Sequence, residues 1–232
     1  MINTRRTETF KAVTLITALA AAFYAFVMIF YVLRWVPNAV QWNGVNVSIA
    51  YGIVTAVIVQ FVIIAGVLAL AYYVFGVYGK RPSVLFPLSL FAFALSQLLR
   101  VVFKIIDYPI VALQYGVSLG DMMNFDSFIR SLVILLIGLL LLAVAAMNFE
   151  KTKPMLKAIP PIVGKILLIV AAAIVFIQGF VGFAETIFSF AKHSYFDFWH
   201  LLHGFRPILD VLYFAPFLLF TLFCSPEYKR AN

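Results

Sequence analysis

SIAYGIVTAVIVQFVIIAGVLALAYYVFG, residues 48–76, runs for twenty-nine residues without an Asp, Glu, Lys or Arg. At about 1.5 Å of rise per residue, a helix of this length exceeds the ~30 Å hydrocarbon core of a bilayer. Inside that core only a helix or a closed barrel satisfies every backbone group, so the stretch reads as a transmembrane helix. Its neighbours repeat the pattern. Candidate spans lie at about 10–33, 48–76, 83–106, 127–148, 163–190 and 199–223. The expected fold is an all-α integral membrane protein, a six-transmembrane-helix bundle in which residues 1–232 form a single polytopic membrane domain.

The whole chain agrees with its central segment. It is 65% hydrophobic and 11% charged, with 25 Phe, 11 Tyr and 3 Trp among 232 residues. A mean hydropathy of +1.06 lies outside the range of soluble globular chains and requires a bilayer as solvent.

The formal net charge of +8 would suggest nucleic acid in a soluble protein, but its distribution points elsewhere. With six spans both termini share one face. That face carries Arg5, Arg6, Lys11, Lys80, Arg81, Lys151, Lys153, Lys157, Lys165, Lys229 and Arg230 against Glu8, Glu150 and Glu227. The opposite face balances Arg34, Arg100, Lys104, Arg130, Lys192 and Arg206 with Asp107, Asp121, Asp126, Glu185, Asp197 and Asp210. By the positive-inside rule the basic face is inside, in a cell or organelle membrane, with the N- and C-termini cytoplasmic. The expected partners are the lipid bilayer and other membrane subunits. Nucleic acid is not needed to explain the basicity.

The connections differ in character. The 77–82 turn is tight and predicts a helical hairpin, whereas the Pro-broken 150–165 stretch separates four helices from two. Pro160-Pro161 marks a helix start, where the missing N–H would be unpaired anyway. The outer loop 34–48 contains Asn46-Val47-Ser48, an N-glycosylation sequon set close to the membrane. The 107–126 loop is too apolar for a solvated connection, and an interfacial or re-entrant helix is expected there. Ala18, Ala22 and Ala25 make a small-residue stripe suited to close packing, and Gly179 and Gly182 offer the same on the fifth span. Trp35, Trp42 and Trp199 fall at the outer interface, as an aromatic belt would. A single Cys, Cys224, excludes an internal disulfide and a Cys-based metal cluster.

Motifs for nucleotide, metalloprotease, serine-hydrolase or CxxC chemistry are absent from the sequence. The span centres offer Thr17, Thr55, Gln60 and Ser89 but no charge, which argues against a pump or channel. The ionisable residues gather instead in the outer third of spans three to six. Several pair locally: Lys104 with Asp107, Asp126 with Arg130, and Arg206 with Asp210. What remains is Arg100, Glu185, His200 and His203. Polar stripes on spans three and five would let Arg100 meet Glu185. On the sixth span, His203, Arg206 and Asp210 fall on one helical face with His200 beside it, and Asp210 is the deepest charge.

Arg100, Glu185, His200, His203 and Asp210 are therefore the candidate ligand-binding residues. His200 and His203 with Glu185 or Asp210 make a plausible metal set. A haem would need His193 as one of two axial ligands. A quinone or small anion would use Arg100, Glu185 and a histidine. The remaining alternative is an interface anchor with no ligand. No cofactor is required, and no catalytic residue is assigned. Three functions stay open. The first is a non-catalytic subunit of a larger membrane assembly, respiratory or other, with an outward-facing polar pocket. The second is a small-solute binding or transport protein with an outer-leaflet site. The third is a metal-dependent membrane enzyme using Glu185, His200, His203 and Asp210.

Overall fold

The uncharged run forms helix α2, Val47–Tyr72, and closes in a π-helical turn, Tyr73–Val77. The computed structural model describes residues 2–41, 44–77, 84–118, 120, 125–148, 161–193 and 210–219. Before α2 stand α1, Ile2–Ala39, and a short hairpin of β1, Val40–Gln41, and β2, Gly44–Val45. After it come α3, Leu85–Tyr115, α4, Phe125–Asn148, α5, Pro161–His193, and the shorter α6, Asp210–Leu219. Among the described residues, five helices are long and apolar enough to cross a membrane. Of the sixth expected span, 199–223, only the apolar segment Asp210–Leu219 is described.

Two expected loops turn out to be largely helix. The 34–48 loop shrinks because α1 continues through Pro37 to Ala39, and the hairpin then turns the chain, with Val40 opposite Val45. The 107–126 segment is not a separate interfacial helix at its start, because α3 runs on through Pro109 to Tyr115. The first turn of α2 holds this extension in place. Ser48 N–H, an orphan donor at a helix start, finds Gln114 Oε1 at 2.8 Å, and Asn46 Nδ2 donates to Tyr115 Oη at 3.3 Å. Gly116, at φ 66°, then stops the helix in a left-handed cap. Asn46 itself caps α2, its Oδ1 accepting from Ile49 N at 3.0 Å. Both ends of the sequon's amide are thereby engaged.

Consecutive helices pack side by side from α1 to α5, and α4 stands between α3 and α5. Half of the most apolar stretch of α3 is buried against 17% of that of α1, so α3 forms the centre of the bundle. Two close approaches set its neighbours. A Cβ at Gly66 of α2 would stand 2.9 Å from Ala92 Cβ, and one at Gly138 of α4 would stand 2.9 Å from Leu98 Cδ2.

On α1 the packing face is Phe10, Thr14, Thr17, Ala21 and Tyr24. Of the expected alanine stripe, Ala18 packs against the core and Ala25 is half-buried, but Ala22 is exposed and Ala21 takes its place. Aromatic packing seats α6 against α3: Phe217 lies 5.1 Å from Phe93 and 5.7 Å from Phe86, and Tyr213 lies 5.5 Å from Phe93 between ring centres. Thr17 Oγ1 of α1 also reaches Leu212 O at 3.1 Å. The short helix is thus held from two sides.

Candidate functional site

The second half of α1, the first half of α2, the second half of α3, the first half of α4, the second half of α5 and the start of α6 surround a cavity of about 880 Å³. It occupies the hairpin end of the bundle, opposite the end where Lys11 and Lys165 lie on the first turns of their membrane-spanning stretches. Its walls are mostly aliphatic and aromatic. Its charges are three basic groups, Arg100, Lys104 and Arg130, and three acidic ones, Asp107, Glu185 and Asp210.

Four of these charges form two forked pairs. Arg100 Nη1 donates to Asp210 Oδ2 at 2.9 Å, and its Nη2 donates to Asp210 Oδ1 at 3.1 Å. Arg130 Nη1 donates to Glu185 Oε2 at 3.1 Å, and its Nη2 donates to Glu185 Oε1 at 2.8 Å. Such parallel two-point contacts are the strongest geometry available to a guanidinium and a carboxylate.

The expected Arg100–Glu185 pairing is therefore corrected. Arg100 does not meet Glu185, because α4 intervenes between α3 and α5, and Glu185 takes Arg130 of the nearer helix. Asp210 is held across the bundle by Arg100, while the expected Arg206–Asp210 contact falls on a residue outside the described ones. His200, His203 and Arg206, with the side chains of Asp126 and His193, lie outside the described residues. The metal, haem and histidine-dependent quinone readings all rest on those positions. Among the described residues, no group of three His, Cys, Asp or Glu side chains comes together to hold a metal ion.

The two pairs differ in setting. Side-chain exposure is 15% and 22% for Arg100 and Asp210, but 51% and 48% for Arg130 and Glu185. Depth explains the difference. Tyr51 Oη of α2 donates to Phe103 O of α3 at 3.0 Å, and Gly66 abuts Ala92 and Ser89 further along. This antiparallel register places Arg100 level with the third turn of α2, roughly 12–15 Å in from that helix's first residue. The Arg100–Asp210 pair is therefore a floor within the apolar layer, and Arg130–Glu185 stands nearer the mouth.

Around the floor lies a layer of polar side chains drawn from four helices. Gln97 Oε1 accepts from Arg100 Nη1 at 3.3 Å, and Tyr24 and Tyr213 come within electrostatic reach of the guanidinium. Gln60 sits beside Tyr213. Arg100 Nε is buried without a hydrogen-bond partner among the described residues. A buried polar atom left without a partner costs about 1–3 kcal/mol, and Gln60 and Tyr213 stand close enough to answer each other. Gln97 was detectable as a polar residue one turn before Arg100. Tyr24 and Tyr213 were not, since aromatic residues are common throughout this chain.

In chemical terms the cavity offers an apolar container with a fixed cation and a fixed anion in contact at its base. Neither a known protein family, nor a curated protein, nor a solved structure matches this chain.

Proposed function

We propose that this protein binds a small solute in the cavity at the hairpin end, as a receptor or carrier embedded in the membrane. The observation that supports it is the Arg100–Asp210 pair on the floor of an apolar cavity of about 880 Å³. Ligand pockets commonly take this form, with apolar walls and a few convergent polar groups in roughly 300–1,000 Å³. Intramembrane charges facing a cavity are costly, and function is the usual reason they are kept. The balance of charges along the sequence sets this end of the bundle outside, so the solute enters from the outer face. The assembly-subunit reading stays compatible with the fold.

Gly52 provides a test that leaves every charge in place. It lines the cavity, and a Cβ there meets nothing within 4 Å. Gly52→Phe is expected to fill the cavity while leaving the unliganded melting temperature nearly unchanged. Purified protein in a maltoside detergent would be heated with a panel of polar metabolites. At least one compound should stabilise the wild type by several degrees and fail on Gly52→Phe. If no compound separates the two proteins, the binding reading is wrong.

A further inference from the structure

The floor of the cavity also says which kind of solute fits, if the binding reading holds. Arg100 and Asp210 present opposite charges in direct contact, joined by two hydrogen bonds. A purely anionic ligand on Arg100 would sit against the Asp210 carboxylate. A purely cationic ligand on Asp210 would sit against the guanidinium. Either would leave one like-charge contact in a low-dielectric site, where such contacts are most costly.

The rest of the lining follows the same rule. Lys104 and Arg130 are matched by Asp107 and Glu185, so the described lining is charge-neutral as a whole. Only a ligand that is itself neutral preserves that balance. Among neutral ligands, one bearing both charges gains two charge-assisted contacts that an uncharged one cannot make.

We propose that the ligand is a small zwitterion whose carboxylate or other anionic group docks on Arg100 and whose ammonium docks on Asp210. The two protein charges touch, so the ligand's charges must sit on neighbouring atoms, as they do in an α-amino acid. Arg100 has donors to spare for this, since its Nε–H is without an acceptor among the described residues while its Nη groups serve Asp210 and Gln97. Inserting the zwitterion turns one ion pair into a closed ring of four alternating charges. The apolar remainder of the ligand lies along Ile53, Val59, Ile137 and Val175.

The test compares three probes that share one side chain: leucine, leucinamide as the cation and N-acetylleucine as the anion. Each is titrated into wild-type protein in maltoside detergent, with unfolding temperature as the readout. Leucine should stabilise by several degrees at millimolar concentration, with at least a tenfold weaker response to the other two. The double variant Arg100→Gln, Asp210→Asn keeps shape and neutrality, and it should lose the response to leucine while remaining folded. Gly52→Phe, with the ion pair intact, should lose it too.

Zwitterionic chemistry can also come from a lipid headgroup, so a second arm uses nanodiscs of phosphatidylethanolamine or of phosphatidylglycerol. Stabilisation by the first lipid alone, lost in the double variant, supports the same chemistry from a lipid source. A response to leucinamide or N-acetylleucine equal to that of leucine overturns the zwitterion while leaving cavity binding standing. Absence of any difference among all probes and both lipids overturns it as well. The metabolite panel against Gly52→Phe then decides separately whether the cavity binds anything.

Discussion

A guanidinium held in the apolar layer depends on the carboxylate fixed beside it. At 15% and 22% side-chain exposure, Arg100 and Asp210 have given up most of their water, and each answers the other with two hydrogen bonds. Asp210→Ala should therefore lower stability by about 3–5 kcal/mol, because it leaves a buried cation unpaired. Removing both charges together, as Arg100→Gln with Asp210→Asn, should cost clearly less than the single change. Arg130 and Glu185 make the same fork in a half-exposed setting, so Glu185→Ala should cost at most about 1 kcal/mol. Thermal or denaturant unfolding in one detergent compares all three. Equal losses for Asp210→Ala and Glu185→Ala would contradict the difference in burial.

Helix-on-helix contact decides which residues share the cavity. Gly66 lets α2 approach α3 closely, and Gly138 does so for α4, which leaves α3 central and puts α4 between it and α5. Gly66→Ala forces a Cβ to within 2.9 Å of Ala92 Cβ and 3.4 Å of Ser89 O, so the two helices must part. Overpacking of this kind costs about 1–3 kcal/mol. Adding Ala92→Gly removes the nearest obstacle and should recover much of that loss. A double-mutant cycle measures the coupling, and strictly additive effects would mean that the close approach carries no strain. The same spacing explains the partner of Glu185: with α4 intervening, the nearer guanidinium is Arg130.

For the molecule as a whole, the cavity lies at the end opposite Lys11 and Lys165. Lys11 of α1 and Lys165 of α5 mark one end, and the hairpin at Val40 marks the other. The proposed orientation, taken from the positive-inside rule, has the Lys165 end cytoplasmic. In a Cys224→Ser background, Val40→Cys should react with a membrane-impermeant maleimide in intact cells, while Lys165→Cys should react only after permeabilisation. The reverse pattern would invert the topology and turn the cavity inward.

The membrane class and the individual spans were legible because partition into a bilayer is summed residue by residue along one segment, as in 48–76. Element ends were less so. Asp107 and Pro109 look like a break, yet α3 continues past them because Gln114 and Tyr115 meet the start of α2, a partner 66 to 69 positions away. The site was half visible. Arg100, Glu185 and Asp210 stand out as charges in apolar surroundings, but the pairing rules that sequence spacing supplies are local. Arg100 and Asp210 are separated by 110 positions, and Arg130 and Glu185 by 55. The sequence alone determined that the chain is largely apolar helix of membrane-spanning length. Only the tertiary structure decided which cation meets which anion, because that depends on which helices are neighbours, and neighbours are chosen by close packing at glycines and aromatic rings rather than by charge.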